Sequence, residues 1–154
     1  MYYAMIILLM GVLPVASIVI ERLIDNADLV VLLGKWFVFW ACGARLLIAG
    51  VRQIGNPAFT AGTIFDIADR GAEKIVTELG FANTAMGLVS LASILRPDWV
   101  LPAAIATGIY YGLAGGLHIR SAHRNRTENW AMASDLAVFA VLAIYVVLTL
   151  LRGG

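Results

Sequence analysis

Eight polar side chains stand inside, or at the ends of, strongly apolar runs of this chain: Arg45, Arg52, Gln53, Glu78, Asn83, His118, Glu128 and Asp135. A guanidinium is a permanent multi-donor cation suited to oxyanions and carbonyl oxygens. An imidazole beside a carboxylate is an oriented, titratable group. Arg45 and Arg52 are seven residues apart and so share a helix face. His118 and Asp135 lie symmetrically about the Asn125–Glu128 turn, and an antiparallel helix pair would bring them to similar depth. Together these residues predict a polar pocket for a lipid headgroup, a quinone or a small anion. Arg45 and Arg52 would be its donors, and His118–Asp135 its oriented imidazole. The competing reading is a paired network that fixes helix register and satisfies buried charge.

The elements that must carry these groups follow from composition. Of 154 residues, 61% are hydrophobic and 14% charged; a soluble domain has about 45–50% apolar and about 25% charged residues. That excess is far more than one small soluble core hides. One cysteine excludes a disulfide scaffold, and a net charge of +1 with no basic stripe excludes nucleic acid as a partner. The reading is an all-α integral membrane bundle. A bilayer core needs roughly 20 apolar residues per helix. Five runs qualify: 1–20, 29–51, 79–95, 99–119 and 131–151. No alternating ten-residue pattern points to a barrel. Behind Pro57, the stretch 57–70 reads as a short interfacial helix or lid, or else as a plain surface loop. The first run has no basic flank and ends at Glu21-Arg22 without a small-x-small cleavage site, so it reads as a retained helix rather than a signal peptide.

Five crossings place the two ends on opposite sides. One side collects Arg52, Arg70, Lys74, Arg120, Arg124 and Arg126; the other has Arg22, Arg96 and Arg152, with Lys35. The positive-inside rule then puts the N-terminus and the eight-residue cluster on the cytoplasmic side of a bacterial inner membrane, with the C-terminus outside. On the fourth run Ala104, Gly108, Gly112 and Gly116 recur every fourth residue. Such a small-residue ridge permits close helix packing, within the monomer or across a homodimer. Trp36, Trp40, Trp99 and Trp130 read as interface anchors, and Cys42 as a small packing residue. No metal site is expected. A haem held by His118 and His123 is disfavoured, since five residues apart they point to different sides. There is no nucleophile elbow, P-loop, Cys-x-x-Cys or dinucleotide fingerprint.

The runs RQIGNPAFTAGTIF (52–65), ELGFANTAMG (78–87), AAIATGIYYGLAGGLHI (103–119) and ENWAMASD (128–135) resemble an uncharacterised family of small bacterial membrane proteins. That family is distantly similar to the DoxX-like helical membrane proteins. The resemblance covers most of the chain, from Leu29 to Leu142 above all. It implies a membrane bundle and an association with quinone-linked or redox membrane complexes, and it carries no catalytic residue. DoxX-like proteins are often described as having four helices, so the first span would be an addition. Three functions follow as expectations: a binding protein for a small molecule or lipid, a subunit of a membrane redox complex, or a structural assembly protein.

Overall fold

Five helices long and apolar enough to cross a membrane organise the chain, seen in a computed structural model that describes residues 2–64, 67, 69–120 and 125–153. They are α1 (Tyr2–Asp25), α2 (Leu29–Gly55), α4 (Gly71–Ala92), α5 (Pro97–Arg120) and α6 (Arg126–Leu151). A short helix, α3, is made by Pro57–Phe59 and continued by the wide turn Thr60–Ile64. The expected interfacial helix is thus present in its first half; residues 65, 66 and 68 of that stretch lie outside the described residues, as do His123 and Arg124.

The helices outrun the apolar runs, because backbone hydrogen bonding does not stop where hydropathy falls. Helix α4 starts at Gly71 rather than 79, through a polar but helix-forming turn in which the Thr77 hydroxyl donates to the Glu73 carbonyl at 2.9 Å. Helix α6 starts at Arg126 rather than 131, because the Asn125 side chain accepts from the Glu128 N–H at 2.8 Å and caps it there. Helix α4 closes at Ala92, three residues early, with tight turns leading to Pro97.

Inward faces follow the helical 3–4 repeat. Helix α4 buries Val76, Gly80, Asn83, Gly87 and Ser90; α6 buries Glu128, Ala131, Asp135, Val138, Leu142 and Tyr145. Helices α2 and α4 pack backbone to backbone along four glycines. A methyl placed at Gly87 would meet the Leu47 nitrogen at 2.6 Å and the Gly43 carbonyl at 3.0 Å; one at Gly80 would meet the Gly50 carbonyl at 3.0 Å. This seam was not anticipated, although both helices carry the same seven-residue glycine spacing.

The anticipated ridge on α5 is only partly a packing face. Gly108 lies against Leu142 and Gly112 against Phe139, both on α6, but Gly116 faces open space and Gly115 takes its place against Leu136. The reason is pitch. A strict four-residue repeat drifts by about 40° per step on a 3.6-residue helix, so the contact line must shorten one step to three. Ala104 is fully buried.

Helix α2 is not a regular α-helix. Across Val38–Ala44 it widens, and the Arg45 N–H reaches the Trp40 carbonyl, five residues back. The Ala41 carbonyl within this wide turn accepts from the Tyr111 hydroxyl of α5 at 2.6 Å. The indoles here also join two helices. Trp36 Nε1 donates to Glu21 Oε2 at 2.7 Å and Trp40 Nε1 to Ser17 Oγ at 3.0 Å, tying α2 to α1. Lys35 also bonds Glu21, at 2.7 Å. Trp99 and Trp130 remain partly exposed near helix ends.

Asp28 caps α2, accepting from the N–H of Val30 at 2.9 Å and of Val31 at 3.2 Å, and pairs with Arg152 at 2.8 Å. The Val31 N–H, then Arg152 and the Val30 N–H, hold its carboxyl below the usual aspartate value of 3.8. Its ionised form therefore stabilises the fold fully above pH 3.8, and that contribution fades as the pH falls through the folded value. Asp28→Asn keeps the cap and removes the charge. In thermal melts it is expected to be slightly less stable than the parent at neutral pH and to converge with it under acid conditions. A gap that persists unchanged in acid would show that the charge is not responsible.

Candidate functional site

The wide turn in α2 decides which way its lower half faces. Beyond it, Arg45, Leu46, Gly50 and Gln53 turn inward. Helix α4 brings Asn83 toward them, α5 brings Tyr110 and His118, and α6 brings Asp135. These groups line a cavity of about 100 Å³. Tyr2 and Met5 of α1 close one wall, and Phe59 and Thr60 of α3 cover the end nearest the helix termini.

Arg45 is the central group. Its side chain is only 10% exposed, and its one hydrogen bond among the described residues runs from Nη2 to Asp135 Oδ1 at 3.5 Å. The buried Nε makes none. Its guanidinium carbon lies 5.6 Å from the centre of the Tyr111 ring. A guanidinium offers five N–H donors, so most of its donor capacity is left unmatched by the protein. Nearby, Asn83 Nδ2 donates to Gln53 Oε1 at 2.7 Å, while Asn83 Oδ1 has no hydrogen-bond partner among the described residues. His118 Nδ1 and Glu128 Oε1 are 3.0 Å apart, both buried. Arg52 stacks on Phe59, its guanidinium carbon 3.7 Å from the ring centre.

Six of the eight residues singled out in the sequence thus line one cavity: Arg45, Arg52, Gln53, Asn83, His118 and Asp135. Glu128 stands behind His118 as its partner. Glu78 does not belong: it is exposed. On α4 it lies two residues, or about 200° of rotation, from the inward Val76 and Gly80. The expected His118–Asp135 pairing is also corrected. His118 takes its carboxylate from Glu128, one helical heptad earlier, and Asp135 serves Arg45. Hairpin symmetry brings His118 and Asp135 into the same cavity without pairing them.

Tyr2, Tyr110, Phe59 and Thr60 were not among the expected site residues. Tyr110 lies eight residues before His118, about 80° away around α5, so spacing alone did not single it out. Tyr2 carried no signal, standing in an uncharged apolar run.

Fold and cavity together define a multi-pass integral membrane protein with a chamber inside its helical bundle, lined by apolar surface and a few charged and polar groups. Compared with known protein families, curated proteins and solved structures, the chain matches none of them.

Proposed function

We propose that this membrane protein binds a small molecule or lipid headgroup in the α2–α4–α5–α6 cavity, with Arg45 as the principal donor. The observation that supports this is the state of Arg45: nine-tenths buried, held by one long bond, its Nε unpartnered. A network serving structure alone would be expected to close those donors on protein, because an unfilled buried donor costs roughly 1–3 kcal/mol. A ligand with acceptor oxygens, including a quinone, would satisfy them. By the positive-inside rule, the cavity lies in the cytoplasmic leaflet half of a bacterial inner membrane, with the N-terminus inside. Kinship with an uncharacterised family of small bacterial membrane proteins, itself distantly similar to the DoxX-like proteins, belongs to this proposal as well and rests on the four sequence runs that resemble that family.

The test is native mass spectrometry of gently solubilised protein, with lipid and quinone extraction of the same sample. The unmodified protein should carry a bound small molecule. Arg45→Lys keeps a cation for Asp135 but loses the planar fork. It should melt within about 1 kcal/mol of the parent and arrive without that molecule. An empty parent protein, as stable as before, would sink the reading in favour of a structural role.

A further inference from the structure

We infer that the cavity admits its ligand sideways from the lipid, and that the ligand is an amphiphile with a carboxylate or phosphate head. This rests on the binding role just proposed and names the ligand's class and route.

Depth sets the route. Helix α2 has 27 residues, about 40 Å of length against a hydrocarbon core of about 30 Å. Centred, it overhangs by about 5 Å at each end. Arg45 is ten residues from the Gly55 end, which puts it about 10 Å inside the hydrocarbon. Ile48, by the same measure, lies about 5 Å inside.

The cavity is covered toward the water. Arg52 is stacked on Phe59, Thr60 is 4% exposed, and α3 is tied to the start of α6 by Asn125 Nδ2 donating to the Thr63 carbonyl at 3.2 Å. Its lining reaches the lipid-facing surface of the bundle at Ile48. Among the residues that line it, Ile48 stands out as 45% exposed. The start of α1 closes another side: Tyr2 and Met5 line the cavity, while Tyr3 bonds Thr127 at 3.1 Å and packs on Trp130 of α6. The route from bilayer to Arg45 therefore passes Ile48, on the acyl-chain side of the membrane surface.

Charge and volume narrow the ligand. Among the described residues the lining carries two guanidinium groups against one carboxylate, Asp135, while His118 and Glu128 pair with each other. That balance favours an anionic acceptor, which a guanidinium grips through paired N–H bonds. The cavity is small, about 100 Å³. It accommodates one compact head and leaves a tail outside, along Ile48.

The full chain would be placed in phosphatidylcholine nanodiscs and labelled with a photoactivatable stearic acid, with adducts mapped by peptide mass spectrometry. Adducts should concentrate on residues bordering Ile48. Oleate should compete about tenfold better than oleyl alcohol, and inorganic phosphate should not compete. Arg45→Lys, which loses the paired N–H bonds, should weaken the preference for acid over alcohol. Ile48→Trp, which fills the mouth from a lipid-facing position, should cut labelling about fivefold. Ile105→Trp, at a lipid-facing position on another helix, should leave it unchanged. Labelling spread evenly around the bundle, or equal competition by oleyl alcohol, would overturn the ligand class. Displacement by inorganic phosphate would overturn the lipid route while leaving the binding role standing. No labelling at all would remove the amphiphile; if the native mass spectra still show another bound molecule, the broader proposal survives.

Discussion

Gly87→Ala is expected to destabilise the protein by about 3 kcal/mol, whereas Gly116→Ala is expected to change it by less than about 0.5 kcal/mol. Both are single methyl groups on glycines of membrane helices, yet their surroundings differ completely. The methyl at Gly87 would sit 2.6 Å from the Leu47 nitrogen and 2.9 Å from its Cα, both backbone atoms that cannot swing aside. Helices α2 and α4 would have to part, and the parting would run along Gly43, Gly50 and Gly80, which share the seam. At Gly116 nothing lies within 4 Å, and alanine is the better helix former. Thermal melts in one detergent, followed by tryptophan fluorescence, would measure both. Equal losses would mean that the α2–α4 seam is not the close contact described. A loss confined to Gly116 would move the tight interface to the outer face of α5.

Arg45→Leu is the second large effect. It strips the ion-pair partner from Asp135, whose side chain is 8% exposed, and removing one member of a buried pair costs about 3–5 kcal/mol. His118 stands near but is already bonded to Glu128. Asp135→Leu alone leaves the guanidinium buried without its carboxylate and is expected to cost a similar amount. The double replacement, Arg45→Leu with Asp135→Leu, should recover most of the loss, since two apolar side chains can replace a buried pair at little net cost. It should also abolish ligand binding, because no donor remains at the centre of the chamber. The melting temperatures of the four proteins form a double-mutant cycle. A double variant as weak as the sum of the singles would show that the 3.5 Å pair contributes no coupling. A double variant that is stable and still binds would remove Arg45 from the site.

Much of this architecture is legible in the residues alone, and the reasons are physical. A helix that must be apolar for about 30 Å announces itself by composition, so the five crossings and their order were readable. An ionisable group within such a run is costly enough to be placed deliberately, and depth alone grouped Arg45, Asn83, His118 and Asp135. What depth does not give is angle. Glu78 had suitable depth but faces outward, and His118 proved to be paired one heptad away from the expected Asp135. Both errors are rotations about a helix axis, which an apolar run with small residues on every side does not specify. The glycine seam was missed for the same reason. Four-residue spacing on α5 drew attention, whereas the seven-residue spacing of Gly43–Gly50 and Gly80–Gly87 marks the backbone contact. Tyr2 and Thr60 reach the cavity through the placement of α1 and α3 in space, a tertiary matter that no local pattern encodes.

The widened stretch of α2 has a consequence for how descent could be traced through this helix. One residue more than a regular helix would need has been accommodated between Val38 and Ala44, and each such residue rotates the remainder of the helix by about 100°. The upstream and downstream halves of α2 are thus phased independently. A homologous helix lacking that extra residue would superpose on only one half at a time. Aligned without a gap, its counterpart of Arg45 would be assigned to the lipid face, and the chamber would vanish from the comparison although the protein still possessed it.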